Sequence, residues 1–419
     1  MSSSPIYQNT VSKEQKKQLA ADLTKLRKEA YADLSLDDFK HLKKMERWGR
    51  ACSVLGYGTA WIIPNPISAF LISVGNVNRW ANMAHPILHG GYDKIEGVPK
   101  RYTSKGFAQG KRRMIDWPDW IPVAGWHQEH NRLHHYRLGE DLDPSQLEKN
   151  LDWMRVSKLP MWLKYTIVAL FSTLWKPIYY SQSALKELRV LKAKNKEEAD
   201  KVPTSSNIKV WSPFHAEGKE YWMKCILPYA GFRFILIPLL FLPLGFAAVV
   251  SVFITSIIAE VFANMHSFLV ILPNHTGDDV PRFEDQAVGK DEFYYRQIVG
   301  SVNFNTGSNL TDFMHGWLNY QIEHHLWPAL PLSQYQKLQP KVKALCEKHG
   351  VEYKQESVFT RLRKTVDVMV GKTSMVWDQK ETPDTIPAKA EKAKVESKVE
   401  SIVEKVTPVE TVEKVRKVS

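Results

Sequence analysis

Three clusters of histidine carry the chemistry open to this chain. His85 and His89 flank Pro86-Ile87-Leu88, His127, His130, His134 and His135 fall within nine residues, and His324-His325 follow Gln321-Ile322-Glu323. Together they hold eight of the fourteen histidines. Residues three or four apart share one helix face, so such spacing aims two imidazoles at one point. An adjacent pair supplies one ligand to each of two neighbouring metals, or one ligand and one supporting group. Imidazole-rich sites suit zinc, copper, nickel and iron. A structural zinc needs only four ligands, so seven or eight converging imidazoles point to two metals. A single histidine can equally cap a helix or sit in a wet pocket, but three clusters beside one membrane face argue against that for the set.

Each cluster stands just outside an apolar block. The first block, 51–63, is followed by Pro64-Asn65-Pro66 and a second stretch at 67–74. A full crossing needs about 20 residues, and Lys and Arg crowd both flanks, through 13–50 and again at Lys94, Lys100, Arg101, Lys111, Arg112 and Arg113. The excess of positive charge on the cytosolic side then predicts a hairpin with both ends in the cytosol. Residues 225–273 form the longest block, long enough for two spans turning near Pro243-Leu244-Gly245. The stretch 159–180, interrupted by Lys164 and Lys176 and carrying Trp162 and Trp175, reads as a helix lying in the interface, with a true span as the alternative. The expectation is an all-α integral membrane protein with about four transmembrane helices and a cytosolic helical cap holding the histidines. Proline is comfortable only in a helix's first turn, so Pro86 predicts that His85 begins a short turn that Gly90-Gly91 ends.

The formal charge of +12 comes without a zinc-finger, RNA-recognition or basic-zipper pattern. That favours anionic lipid or an acidic partner over nucleic acid. Fourteen tryptophans, many beside the apolar blocks, fit interfacial belts. Cys52, Cys225 and Cys346 show no C-x-x-C spacing and read as reduced thiols. The polar N-terminal fifty residues contain no secretory core. The predicted organisation is a cytosolic helical segment at 1–45, a membrane body at 46–350, a cytosolic extension at 351–386 and a disordered Lys/Glu-rich tail at 387–419. A transporter would place ionisable groups along a path through the membrane. The apolar blocks are nearly free of them, which disfavours a non-catalytic metal carrier.

The clusters resemble the three histidine boxes of membrane fatty acid desaturases, across roughly residues 45–350. The third, Leu318-Asn319-Tyr320-Gln321-Ile322-Glu323-His324-His325-Leu326-Trp327-Pro328, resembles the front-end subgroup, where Gln replaces the first His of that box. The resemblance implies iron ligands at His85, His89, His130, His134, His135, His324 and His325, with Gln321 acting beside the last pair. The wider family takes one more ligand from the cytosolic end of the last span. His266 is the candidate and His275 the alternative. It further implies dioxygen and two electrons spent at a di-iron centre to remove two hydrogens from an acyl chain, leaving a cis double bond. Hydroxylation is the alternative outcome. The implied substrate is acyl-CoA or acyl-lipid, in the endoplasmic reticulum or a bacterial inner membrane, with the active site facing the cytosol.

This chain departs from the pattern in Pro86 after the first His of box one, in three residues between His130 and His134, in the extra His127 and His315, and in having no His-Pro-Gly-Gly motif of a fused cytochrome b5. The electron donor is then a separate protein, such as cytochrome b5 or ferredoxin with its reductase. Asp93, Glu129, Glu140, Asp141, Asp143 and Glu323 are candidates to orient imidazoles through the second ring nitrogen.

Overall fold

Asn65 caps a helix by accepting the Ser68 amide at 2.7 Å, and Pro66 takes the first helical position, where its missing N–H costs nothing. The chain therefore reverses at Pro64-Asn65-Pro66, and Pro66–Asn78 runs back along Leu36–Ala60. Glycines let the two backbones approach. A Cβ on Gly56 would lie 3.0 Å from the Ser68 carbonyl, and one on Gly75 3.0 Å from the Gly49 carbonyl. A second pair of helical runs, Ala216–Leu244 and Phe246–Asn274, is long and apolar enough to cross a membrane. It turns at Gly245, whose φ of +100° suits glycine.

The two turns lie together, since Ser251 Oγ donates to the Ala60 carbonyl at 2.6 Å and Ala60, Ala69, Ile72, Val252 and Ala259 share a small buried core. Around this end Leu55, Ile62, Ile63, Ile67, Leu240 and Phe246 are each 60–73% exposed. An apolar girdle of that kind is what a bilayer covers.

In the computed structural model, which describes residues 10–378, the protein is helical. Among the described residues strands occur only as two short parallel pairs, Pro281–Phe283 with Val376–Asp378 and Asn303–Phe304 with Gln355–Glu356. The helix Lys13–Ala32 packs on Lys290–Val299 and Leu332–Lys348, and Val358–Met369 packs on Phe246–Ile271 and Met161–Trp175. The reading of 387–419 as a disordered tail falls outside the described residues.

The apolar runs are not wholly free of charge. Glu260 accepts from Trp120 Nε1 at 2.6 Å and Asn264 Nδ2 at 2.9 Å, and Arg233 donates to the Tyr57 hydroxyl at 2.6 Å and to Asn76. Each of these buried ionisable groups is therefore met by polar partners from neighbouring helices.

Prolines inside these helices are absorbed by π-helical turns. Such turns cover Arg79–Ala84, Lys176–Tyr180, Trp222–Ile226 and Gly231–Leu236, at or just before Pro86, Pro177, Pro228 and Pro238. A proline removes one amide donor and crowds the preceding turn, and the wider i→i+5 register relieves both. This corrects the expectation for the first histidine cluster. His85 does not begin a helix. It continues the run from Pro66 through Leu88, which ends at Gly90 with φ +80°.

Candidate metal centre

The end of that run delivers His85 and His89 to the pole opposite the two turns, about 30 Å along the helix from Pro66. The Trp80 indole lies parallel to the His85 ring, with centroids 5.7 Å apart and planes within 2°. The second cluster sits on another π-helical turn, His127–His134. In this wider register it is residues five apart that meet: His130 Nε2 lies 3.2 Å from His135 Nε2 and 3.0 Å from His85 Nε2. His134 is turned to the other side. The third cluster occupies the short helix Gln321–Leu326, reached through Gly316 and Trp317, both in left-handed backbone. Such a conformation in a buried tryptophan costs about 1–3 kcal/mol, which the surrounding packing must offset.

Two groups of imidazoles result. The candidate ligand atoms of His85, His89, His130, His135 and His324 all lie within 4.8 Å of one another, and those of His134, His275 and His325 do the same. The groups touch, with the His135 and His325 rings stacked at 4.4 Å. Each adjacent pair is divided between them, His134 from His135 and His324 from His325.

The far nitrogens are held from outside. Nδ1 of His134 meets Asp143 Oδ1 at 3.1 Å, Nδ1 of His325 meets Gln297 Oε1 at 3.0 Å, and Nδ1 of His275 meets the Gly300 carbonyl at 2.9 Å. His324 Nδ1 meets the Tyr335 hydroxyl at 3.3 Å. When Nδ1–H donates, the Nε2 lone pair is turned inward. Nε2 of His89, His324 and His325 is buried and meets no protein donor or acceptor. An unpartnered buried acceptor costs about 1–3 kcal/mol, and a cation bound by these lone pairs removes that cost. The donor set fits iron, a metal that imidazole binds well.

Burial holds His324 and His325 well below the usual imidazole range, in the neutral form that ligation requires. Burial also works to lower His134, but the Asp143 carboxylate beside it outweighs that and raises it. Burial pushes the Glu323 carboxyl up to about 7, against the bonds it accepts from Asn303 Nδ2 at 2.9 Å and the Tyr353 hydroxyl at 2.8 Å.

His266 joins neither group. Its Nε2 lies 2.6 Å from the Met314 carbonyl, and nine residues of helical rise put it about 13 Å short of His275. The geometry therefore brings His275, just past the end of Phe246–Asn274, to the position expected of His266. Gln321 stands beside this group, its Nε2 2.8 Å from His275 Nε2. His127 is exposed and pairs with Asn131 at 2.9 Å, and His315 bonds the Thr311 carbonyl at 2.8 Å.

Of the six acidic candidates only Asp143 touches a box histidine through a hydrogen bond. Asp93 binds Ser104, Asp141 faces Lys149, Glu140 pairs with Arg137 and Arg296, and Glu129 accepts from Ser145. Gln297, Tyr335 and the Gly300 carbonyl were not foreseen, because they come from segments remote in sequence and carry no motif. Asp143→Asn keeps the shape but loses the charge behind His134. The expected result is a drop of about 10–100-fold in activity or metal affinity, read as product formed and metal retained through a graded chelator wash.

A cavity of about 70 Å³ lies against His85, His130, His134, His275 and Gln321, walled by Trp175. Tyr179 separates it from a cleft of about 620 Å³.

Long apolar helices and two groups of imidazoles that could each hold a metal ion are the features of a helical membrane protein with a candidate metal centre. Residues 59–357 match the fatty acid desaturase family, and the chain belongs to it. It is 25% identical over 361 residues to the NADPH-dependent stearoyl-CoA 9-desaturase of Mycobacterium tuberculosis H37Rv, covering 83% of this chain and 77% of that one. A shorter stretch is 40% identical over 83 residues to fatty acid desaturase 3 of Bos taurus, 19% of this chain and 18% of that protein. Another is 31% identical over 112 residues to the acyl-lipid (9-3)-desaturase of Physcomitrium patens, 27% and 20% of the two chains. The protein is an oxygen-dependent fatty acid desaturase, an oxidoreductase acting on a fatty acyl substrate, and its family uses iron.

Proposed function

We propose that the chain desaturates an acyl chain at a di-iron centre, one iron held by the group His85, His89, His130, His135 and His324 and the other by His134, His275 and His325, with Gln321 beside the second. The observation that carries this reading is the division of both adjacent pairs, His134-His135 and His324-His325, between two touching imidazole groups. One metal would not need that division. Iron, when bound, supplies the activation of dioxygen that an unactivated methylene pair requires.

The protein's part is to hold the imidazoles in fixed orientations through Asp143, Gln297, Tyr335 and Gly300, and to keep the reacting carbons in a small cavity walled by Trp80 and Trp175. The reaction balances as –CH2–CH2– plus dioxygen, two electrons and two protons giving –CH=CH– and two waters. The electrons come from a separate carrier of the cytochrome b5 or ferredoxin type. The reading includes a front-end type of third box, about four transmembrane helices formed by the two hairpins, and histidine groups on the cytosolic side. Lys94 through Arg113 flank the pole with the groups, and the excess of positive charge typical of cytosolic segments supports that side.

The test is metal and product together. Protein purified from iron-replete cells should carry about two irons per chain, and a desaturase-poor host expressing it should accumulate acyl chains with a new cis double bond. A single zinc with no iron would sink the di-iron reading, and a hydroxylated product would redirect it.

A further inference from the structure

We infer that the acyl chain reaches the centre while esterified to a membrane lipid, not as a coenzyme A thioester, through the 620 Å³ cleft beside Tyr179. The inference rests on the desaturase reading and names its substrate class. Tyr179 lines both the cleft and the small cavity against the histidines, and its hydroxyl accepts from Asn150 Nδ2 at 2.6 Å. Any chain lying in the cleft with its end toward the metals passes this residue.

Charge distinguishes the carriers. Coenzyme A brings a pyrophosphate and a ribose phosphate, which proteins bind with clustered Arg and Lys. The charged residues lining this cleft are Lys186 and Glu187, and they pair with each other at 2.9 Å. Its other polar lining is neutral, from Asn150, Gln182 and Ser183 to Thr204, Ser205 and Ser206. A neutral lining of hydroxyls and amides suits ester and glycerol oxygens and offers a polyphosphate no cluster of Arg or Lys within the cleft.

The wall of the cleft points the same way. On the helix Met161–Trp175, Ile167, Val168 and Phe171 line the cleft, while Trp162 and Leu170 on the outer face are 68% and 65% exposed. Trp153, at the rim, is 61% exposed. A helix apolar on both faces is one that lipid can surround, and tryptophan at its start marks the headgroup level. The cleft therefore opens at the depth of lipid headgroups and ester bonds.

The experiment places iron-replete enzyme in vesicles of phosphatidylcholine carrying a deuterated acyl chain, with a reducing system and, in parallel, the same deuterated chain as acyl-CoA. Intact-lipid mass spectrometry should find the new double bond first on phosphatidylcholine, at a rate roughly tenfold or more above that on acyl-CoA. Double bonds arising first on acyl-CoA would overturn the inference and leave the desaturase reading standing. Product from neither carrier, with iron bound and reduced, would count against the desaturase reading itself.

A second readout does not depend on turnover. Photoactivatable phosphatidylcholine should label the peptide carrying Ile167 and Phe171, excess acyl-CoA should not compete, and Ser183→Trp should abolish labelling while iron content stays unchanged. Competition by acyl-CoA, or labelling undiminished in Ser183→Trp, would reject the lipid-filled cleft.

Discussion

Alanine at His135 or at His324 is expected to take product to background and to strip bound iron, while the protein still inserts in the membrane. Both rings belong to the group of five, and both sit at its boundary with the group of three, His135 stacked at 4.4 Å on His325 and His324 at 5.5 Å from it. Loss of either removes a donor that nothing nearby replaces, since the neighbouring ring nitrogens already converge on the same point. An orienting partner such as Asp143 costs only about 10–100-fold, so the ligand variants should fall clearly below that range. Folding should survive because the membrane hairpins pack through Ala60, Ala69, Ile72, Val252 and Ala259, far from the centre. His127→Ala is the internal control. Its ring is exposed and bonded to Asn131, and product should stay measurable. Iron per chain and product by gas chromatography decide the matter, and full activity in both His324→Ala and His325→Ala would remove the metal centre as proposed.

What could be read from the residues alone was the local part of this arrangement. Spacing identified the three boxes, and adjacency raised the splitting of His134 from His135 and His324 from His325 as one option. The uncharged turns at Pro64-Asn65-Pro66 and Pro243-Leu244-Gly245 marked where the chain reverses, as it does. Two of the misreadings share a source, the assumption of an α-helical period. A π-helical turn before Pro86 keeps His85 inside a helix that proline should have begun, and another at His127–His134 pairs His130 with His135 in place of His134. Nothing in the composition of His127–His134 announces the wider register. Gln297, Tyr335 and Gly300 were illegible for a different reason: a hydrogen bond across 11 to 28 residues leaves no periodic trace.

The sharpest remaining test separates His275 from His266, which stand on one helical run and its end. His275→Ala should reduce iron to about half and abolish product, because it takes one of three imidazoles from the smaller group and leaves Gln321 without its partner at 2.8 Å. An activity that needs both metals cannot survive the loss of one. His266→Ala should keep its iron and nearly all its product. That ring meets a backbone carbonyl at Met314, and losing one such hydrogen bond costs about 0.5–1.5 kcal/mol of stability, seen as a small fall in melting temperature. The two variants are matched in residue type and in chain neighbourhood, so an unfolding artefact would affect both. Were His266→Ala the one to lose iron while His275→Ala kept it, the ligand from the end of the last span would be His266, and the helix end would have to be rebuilt to bring it to the metals.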